Sequence, residues 1–506
     1  MRQTRRQFIQ QSLLTFPAIG TLASCGGGGG ASAASAPSGT NSGNVSTGLQ
    51  AYGKSLVPYS PLAKQPKLVP FRDPDFGTRM IRLTDAKADW NSGWAVPAYP
   101  TTQAWNTDES LLILYVSGKL SSTGIDGSFA LLDGKTYAFI QFLAINPADI
   151  EQFYWSTTDP QTLFYVNNSQ STGTQVNQLV KATITVSART NGSISAVSMS
   201  TTVLHDFASD FKPGGALASA VSGAGTITKV SGGEDPFAMS EDNDLIGLGC
   251  YLNKNGPGGS AAFQAFSYRI STNTIGTPFL VEADVPQALP SGRGTYFYSG
   301  TNQVQTLNAV TNAVTRTIPF DGSQHSDLLR NAAGDDIIAG VQFDGPSGSG
   351  TLMWTNLTKG GPVQTLIGPA VGDPYPPTGT LVSGRAFNNP GWLAVAITGC
   401  PAGSNGNCNG STPIGAANPQ TYLDQEIILA NIDTGKMCRI AHNRTTGNYA
   451  NSSNSNYWAQ PNVIISPRGT RILFASDWGA ANPKSPTVNG SAVVDTYVIT
   501  LPSYKP

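Results

Sequence analysis

The chain has 506 residues, a formal net charge of −1 and only 12% charged residues, against 56 glycines and 34 prolines. Near-neutral charge excludes the basic face that nucleic-acid binding needs to replace counterions around phosphates. Many turn formers and few charges favour strands over long helices, and the length accommodates one large all-β domain.

Residues 1–25 read as an address and not as part of the fold. Thr4-Arg5-Arg6-Gln7-Phe8-Ile9-Gln10 resembles a twin-arginine export signal, and the apolar run from Ser12 to Ala23 is too short to span a bilayer. It ends in Leu22-Ala23-Ser24-Cys25, similar to the lipobox of bacterial lipoproteins. By that resemblance Cys25 is lipidated and anchors the chain in a membrane, and Gly26 after it implies the outer membrane or cell surface. Simple secretion with cleavage near Cys25 is the alternative. Residues 26–49 are Gly, Ser, Ala, Asn and Thr without apolar periodicity, the composition of a flexible tether.

Residues 50–506 read as a single β-propeller domain of about seven blades. The first clear strand, Arg79 to Asp85, and the last, Val493 to Leu501, are expected to pair and so close the ring. Between them, uneven units recur, each a strand, a polar turn and a more apolar strand. They are Gln103–Val116 with Phe129–Ile140, Ile150–Val166, Gly233–Gly249, the region of Gly294–Tyr298, Gln324–Val341, Asn388–Ile397 and Tyr457–Gly479. A pair of β-sandwiches is the rival architecture; a β-helix needs much shorter repeats, and no helical interludes mark a parallel α/β sheet.

The sharpest unit is Asn462–Ile465, the turn Ser466-Pro467-Arg468-Gly469-Thr470 and the strand Arg471–Ala475 before Ser476-Asp477. It resembles the TolB-like propeller repeat, whose Ser-Pro-Asp-Gly turn precedes an apolar strand; Arg468 stands where that repeat has Asp. More narrowly, it is similar to oligogalacturonate lyases, seven-bladed propellers that cleave uronic-acid oligomers by β-elimination and bind a divalent metal on the axis. In those, His-Pro-His-Pro precedes the turn, whereas Gln460 and Asn462 occupy the two histidine positions here. The resemblance implies an axial divalent metal, for which His325, His442 and Gln460 are the candidate ligands.

In a propeller the starts of the inner strands converge on one mouth of the channel. That places Gln103, Trp105, Glu151, Glu234, Asp327, Arg385, Trp458 and Asn462 as candidate ligand-binding residues, a mixture suited to a sugar. Only three histidines exist: His325 is the candidate base or ligand, His442 a candidate ligand, and His205 is read as structural. Arg444, with Arg385, is the candidate partner for a uronate. Adjacent Glu234 and Asp235 point to opposite faces of a strand and do not form one acid–base pair. The loop from Cys400 to Cys408 allows a disulfide, while Cys250 and Cys438 stand in apolar contexts that suit free thiols. No nucleophile elbow, phosphate loop or dinucleotide fingerprint occurs.

The expected function is therefore that of an exported, lipid-anchored monomer binding a polymer or oligosaccharide at the cell envelope. Two alternatives stand beside it. One is a polysaccharide-lyase-like enzyme with His325 and Arg444 in catalytic roles, and the other is a scaffold that binds an envelope protein.

Overall fold

The computed structural model describes residues 43–118, 127–168, 170–171, 174–218, 227–233, 236–253, 260–280, 285–298, 302–322, 324–376, 380–398, 422–445, 458–478, 487–488 and 491–505. The export signal, most of the tether, Cys25, Glu234, Cys400 and Cys408 lie outside them. Seven antiparallel sheets follow one another along the chain as the blades of a β-propeller.

From the inner strand outward, blade 1 is Ala95–Val96, Leu111–Ser117, Gly127–Asp133 and Phe139–Leu143; blade 2 is Phe153–Trp155, Thr162–Asn167, Gln178–Thr190 and Ser193–Asp206. Blade 3 comprises Ile227–Ser231, Leu245–Asn253, Ser260–Arg269 and Thr274–Ile275, and blade 4 Gln287–Ala288, Thr295–Tyr298, Val304–Leu307 and Val314–Ile318. Blade 5 is Ser326–Arg330, Asp336–Gly345, Gly348–Asn356 and Gln364–Ile367, and blade 6 is Leu381–Ser383, Trp392–Ala396, Glu426–Asn431 and Met437–His442. Blade 7 draws on both ends of the chain: Ile464–Ile465, Arg471–Ser476 and Asp495–Thr500 continue into Arg79–Arg82 and then Pro70–Arg72. In register, Arg79 faces Thr500 and Arg82 faces Tyr497, so the expected closure by terminal strands is present.

The second strands explain the core. Leu111–Ser117, Trp392–Ala396 and Arg471–Ser476 are buried at every position, because each sheet is covered on both faces by its neighbours. The core is accordingly a set of layers between blades. Phe129 and Trp155 share one between blades 1 and 2; Leu112 and Leu473 share another between blades 7 and 1. Between blades 3 and 4, among the described residues, Leu245, Ala288 and Ala309 form a cluster. There Gly247 packs directly on the Pro286 carbonyl, and a Cβ would come within 1.6 Å of that oxygen.

Two inner edges are split. In blade 1, Ala95–Val96 pairs with Tyr115 and Val116, and only Trp105 resumes contact, opposite Leu112. In blade 3 only Met239 bridges the near half of the second strand, at Ile246. The intervening segments contain Pro97, Pro100 and Pro236, which have no N–H to give a ladder.

The turn leading into the second strand recurs. From Ser466 to Arg471 it is closed by Ser466 N on Arg471 O at 2.9 Å and Gly469 N on Ser466 O at 2.8 Å, with Gly469 at φ 71°. The same two bonds close Ser240–Leu245, Leu289–Gly294 and Asn106–Leu111. The left-handed position is Asn243, Gly292 and, in blade 1, Glu109 at φ 62°. A glutamate there is strained. Its side chain compensates: Oε2 accepts from buried Arg471 at 2.8 Å and Oε1 from Arg468 N at 2.8 Å, so the two turns lock blade 1 to blade 7. Arg471 also lies against the rings of Trp105 and Tyr504, at 4.8 and 4.7 Å.

Replacing one member of a buried ion pair leaves the other charge unmatched, at a cost of about 3–5 kcal/mol. Glu109→Gln is expected to lower the chemical-denaturation midpoint by that equivalent. A midpoint within error of wild type would show that this joint does not hold the ring.

Candidate functional site

A cleft with a cavity volume of about 30 Å³ lies where the inner edges of blades 1 to 6 meet. Thr101, Tyr154, Met239, Gln287, Asp327 and Arg385 each bring one blade to its wall, and Glu241 and Phe387 complete the polar and aromatic parts. Glu241, Pro290, Arg385 and Phe387 come after their inner strands, towards the tight turns. The pocket is therefore weighted to the turn end of the axis and not to the strand starts that sequence reasoning favoured.

Its charges are already matched. Arg385 Nε donates to Asp327 Oδ2 at 2.9 Å, a second guanidinium nitrogen reaches Oδ1 and the Leu328 carbonyl, and Gly384 N adds a 2.7 Å bond to Oδ2. Burial pushes the Asp327 carboxyl up to about 6, even though Arg385 pulls it down. Arg330 lies 3.3 Å from Glu241 Oε2 and donates to the Gly334 carbonyl at 3.1 and 3.3 Å. Burial likewise takes Glu241 up to about 7, with Arg330 and Arg385 opposing. Tyr154 is raised by the same desolvation, so its hydroxyl keeps its proton. The result is a pocket of low net charge with an aromatic hydroxyl and a carboxyl able to donate or accept near neutral pH.

The other residues singled out from sequence have different tasks. Gln103 donates to the carbonyls of Arg385 at 3.0 Å and Ile465 at 2.9 Å and accepts from Trp105 N, tying blades 1, 6 and 7 together. Trp105 is buried under Arg471, and Glu151 is buried with its carbonyl accepting from Phe237 N. Trp458 stacks on Trp94 at 4.8 Å and 11°. Gln460 and Asn462 are buried; Asn462 donates to the Pro97 carbonyl at 3.4 Å. His325 Nδ1 is 2.7 Å from the Thr380 carbonyl. His205 pairs with Asp210 at 2.6 Å, and Cys250 and Cys438 are buried free thiols.

His442 and Arg444 stand together, but at the outer strand of blade 6. His442 Nδ1 is 3.1 Å from Asp75 Oδ2, and its backbone N donates to Asp73 Oδ2 at 3.2 Å. One ligand atom each of Asp73, Asp75 and His442 lies within 4.8 Å of the others. Arg444 is 3.8 and 3.5 Å from the two carboxylates and lies over Tyr59 at 4.7 Å. Burial lowers His442 to about 4, so the ring is neutral at pH 7. Two carboxylates and a neutral imidazole are a donor set that suits a divalent cation. Thus His442 converges with Asp73 and Asp75, while His325 is set against the Thr380 carbonyl and Gln460 is outside that group. Sequence reasoning passed over Tyr154 and Glu241 on the axis and Asp73 and Asp75 off it. The only local signal for the last two was the Asp-Pro-Asp run ahead of Gly77.

No family model matches the chain, and no curated protein matches it. Among solved structures it is similar to an oligogalacturonate lyase in complex with manganese, at 12% identity over 86% of this chain and 96% of that one, with a TM-score of 0.50. An oligogalacturonate lyase from Vibrio parahaemolyticus matches at 12% identity, 86% and 97% coverage and a TM-score of 0.48; the Pan2 WD40 domain of Neurospora crassa matches at 9%, 87% and 99%, with 0.39. The first of these likenesses supports the propeller fold.

The Glu241 carboxyl has a folded value above its ordinary 4.5, so the protonated form is the one folding favours. Its contribution to stability is full below pH 4.5 and lost as pH rises through about 7. The stability difference between wild type and Glu241→Gln, from urea midpoints at each pH, is expected to fall across that window. A difference independent of pH would contradict the buried placement of this group.

Proposed function

We propose that this chain is an exported, lipid-anchored propeller that binds a neutral oligosaccharide or polymer segment at the cell envelope, through the axial pocket. The observation that carries the proposal is the internal pairing of the pocket's charged lining, with the Arg385 guanidinium held by Asp327 and the Glu241 carboxyl beside Arg330, which stands behind it. A uronate carboxylate entering that pocket would find no unmatched cation. Hydroxyl groups would instead find Tyr154 and Glu241 as hydrogen-bonding partners and Phe387 as an apolar wall. The twin-arginine-like segment and the Leu22–Cys25 lipobox support export and anchoring, which would hold the pocket a tether's length from the membrane.

The lyase alternative draws on the likeness in fold and on the Asp73, Asp75 and His442 donor set. Against it, the side chains of His442, Arg444, Asp73 and Asp75 are at most 3% exposed, which leaves a polymer no way to reach them.

Calorimetric titration of the purified protein with neutral and uronic oligosaccharides tests the proposal. Neutral chains are expected to bind, and Glu241→Ala and Tyr154→Phe each to weaken them about tenfold, or roughly 1.4 kcal/mol. Ultraviolet absorbance of uronide mixtures is expected to stay flat. A preference for uronides with an unsaturated product, or capture of an envelope protein with no glycan bound, would overturn it.

A further inference from the structure

The axial cleft is too small for a whole sugar. A cavity volume of about 30 Å³ is room for roughly two or three water-sized groups, whereas a hexose with its hydroxyls carries several times as many atoms. A sugar ring therefore stops at the mouth, and only one of its substituents goes in. What that substituent meets is largely apolar, with Ala238, Met239, Ala288, Pro290 and Phe387 in the wall.

Set into this wall are polar atoms that the protein leaves unused. Arg385 commits Nε and Nη2 to Asp327 and the Leu328 carbonyl, while its Nη1 donates to nothing among the described residues. The Tyr154 hydroxyl has no hydrogen-bond partner among them either, and the charge of Arg385 is felt both there and at Glu241. Arg330 takes Glu241 Oε2 and leaves Oε1 without a partner among the described residues. Thr101 Oγ1, buried in the same lining, is unpartnered too. Because Asp327 cancels the charge of Arg385, Nη1 and the tyrosine hydroxyl present donors without net positive charge, which suits a neutral carbonyl oxygen over a carboxylate. Glu241 Oε1 calls for a donor, and a carboxyl group keeps an accepting oxygen in either protonation state. A carbonyl, an N–H beside it and a small apolar end together describe an acetamido group. A hydroxymethyl group has no apolar end, and an acetyl ester has no N–H for Glu241.

We propose that the axial cleft takes the acetamido group of an N-acetylated amino sugar: its methyl against Met239, Ala288 and Pro290, its carbonyl accepting from Arg385 Nη1 and the Tyr154 hydroxyl, and its N–H donating to Glu241 Oε1. The proposal rests on the reading of this cleft as a glycan site and names the sugar that fills it.

The test titrates the full-length wild-type protein with matched tetramers of glucose, N-acetylglucosamine and N-butyrylglucosamine. The N-acetyl chain is expected to bind at least tenfold more tightly than the glucose chain, and the N-butyryl chain, whose longer tail exceeds the cleft, to lose that advantage. Saturation-transfer nuclear magnetic resonance on the N-acetyl complex needs no variant and is expected to show the acetyl methyl as the most strongly saturated group. Tyr154→Phe, checked for folding by its thermal midpoint, is expected to shrink the ratio of N-acetyl to glucose affinity. Glucose chains bound as tightly as N-acetylated ones, N-butyryl chains bound as tightly as N-acetyl ones, or ring protons saturated more than the methyl would each overturn the assignment while leaving the glycan reading in place. Absence of binding by all three chains would overturn both.

Discussion

Everything in this molecule depends on one pairing, that of Arg79–Arg82 with Asp495–Thr500. Six blades are built from consecutive residues, but blade 7 needs strands from both ends of the chain. Without the N-terminal strand, Asp495–Thr500 would present a row of unpaired backbone groups, and the layers between blades 6, 7 and 1 would lose their frame. The axial pocket exists only because the ring is held at a fixed circumference.

Charge reinforces that closure where the blades meet. Glu109 and Arg471 join blades 1 and 7, and Asp327 and Arg385 join blades 5 and 6. Within blade 6, Glu426 and Arg439 pair at the outer strands, and Arg439 also reaches back to the carbonyls of Gly53 and Ser55. Buried pairs of this kind contribute little net stability, but they penalise any arrangement that separates them. They therefore favour one register and one blade order. The same logic shapes the chemistry: guanidiniums committed to holding blades together leave the axis nearly neutral, and that neutrality separates the proposed ligand class from uronates.

Much of the architecture could be read in the sequence because a second strand buried on both faces is an uninterrupted apolar run bounded by a turn. Leu111–Ser117, Trp392–Ala396 and Arg471–Ser476 all announce themselves in this way. The turn Ser466–Arg471 was readable through Pro467 and Gly469; its counterparts at Glu109 and Asn243 were not, since other residues take the left-handed position there. The inner strands were harder. Some shrink to single bridges, as at Met239, so strand starts mark the axis poorly and Glu241, in a turn, lines it instead. Asp73 and Asp75 escaped notice because their partner His442 is some 370 residues away, as the separation of 367 for the Asp75 contact records. No local spacing could reveal that meeting.

The two ends of the propeller thus have different characters. The side where inner strands begin is occupied by packing and capping: Trp458 on Trp94, Asn462 on Pro97, His442 under Tyr59. The turn end of the axis keeps an opening with unspent hydrogen-bonding capacity. Hydrogen–deuterium exchange of the full-length protein, with and without a neutral oligosaccharide, locates the ligand most directly. Slowed exchange is predicted in residues 236–241, 327–330 and 384–387. Unchanged exchange in all three segments, with protection appearing elsewhere on the ring, would contradict the account.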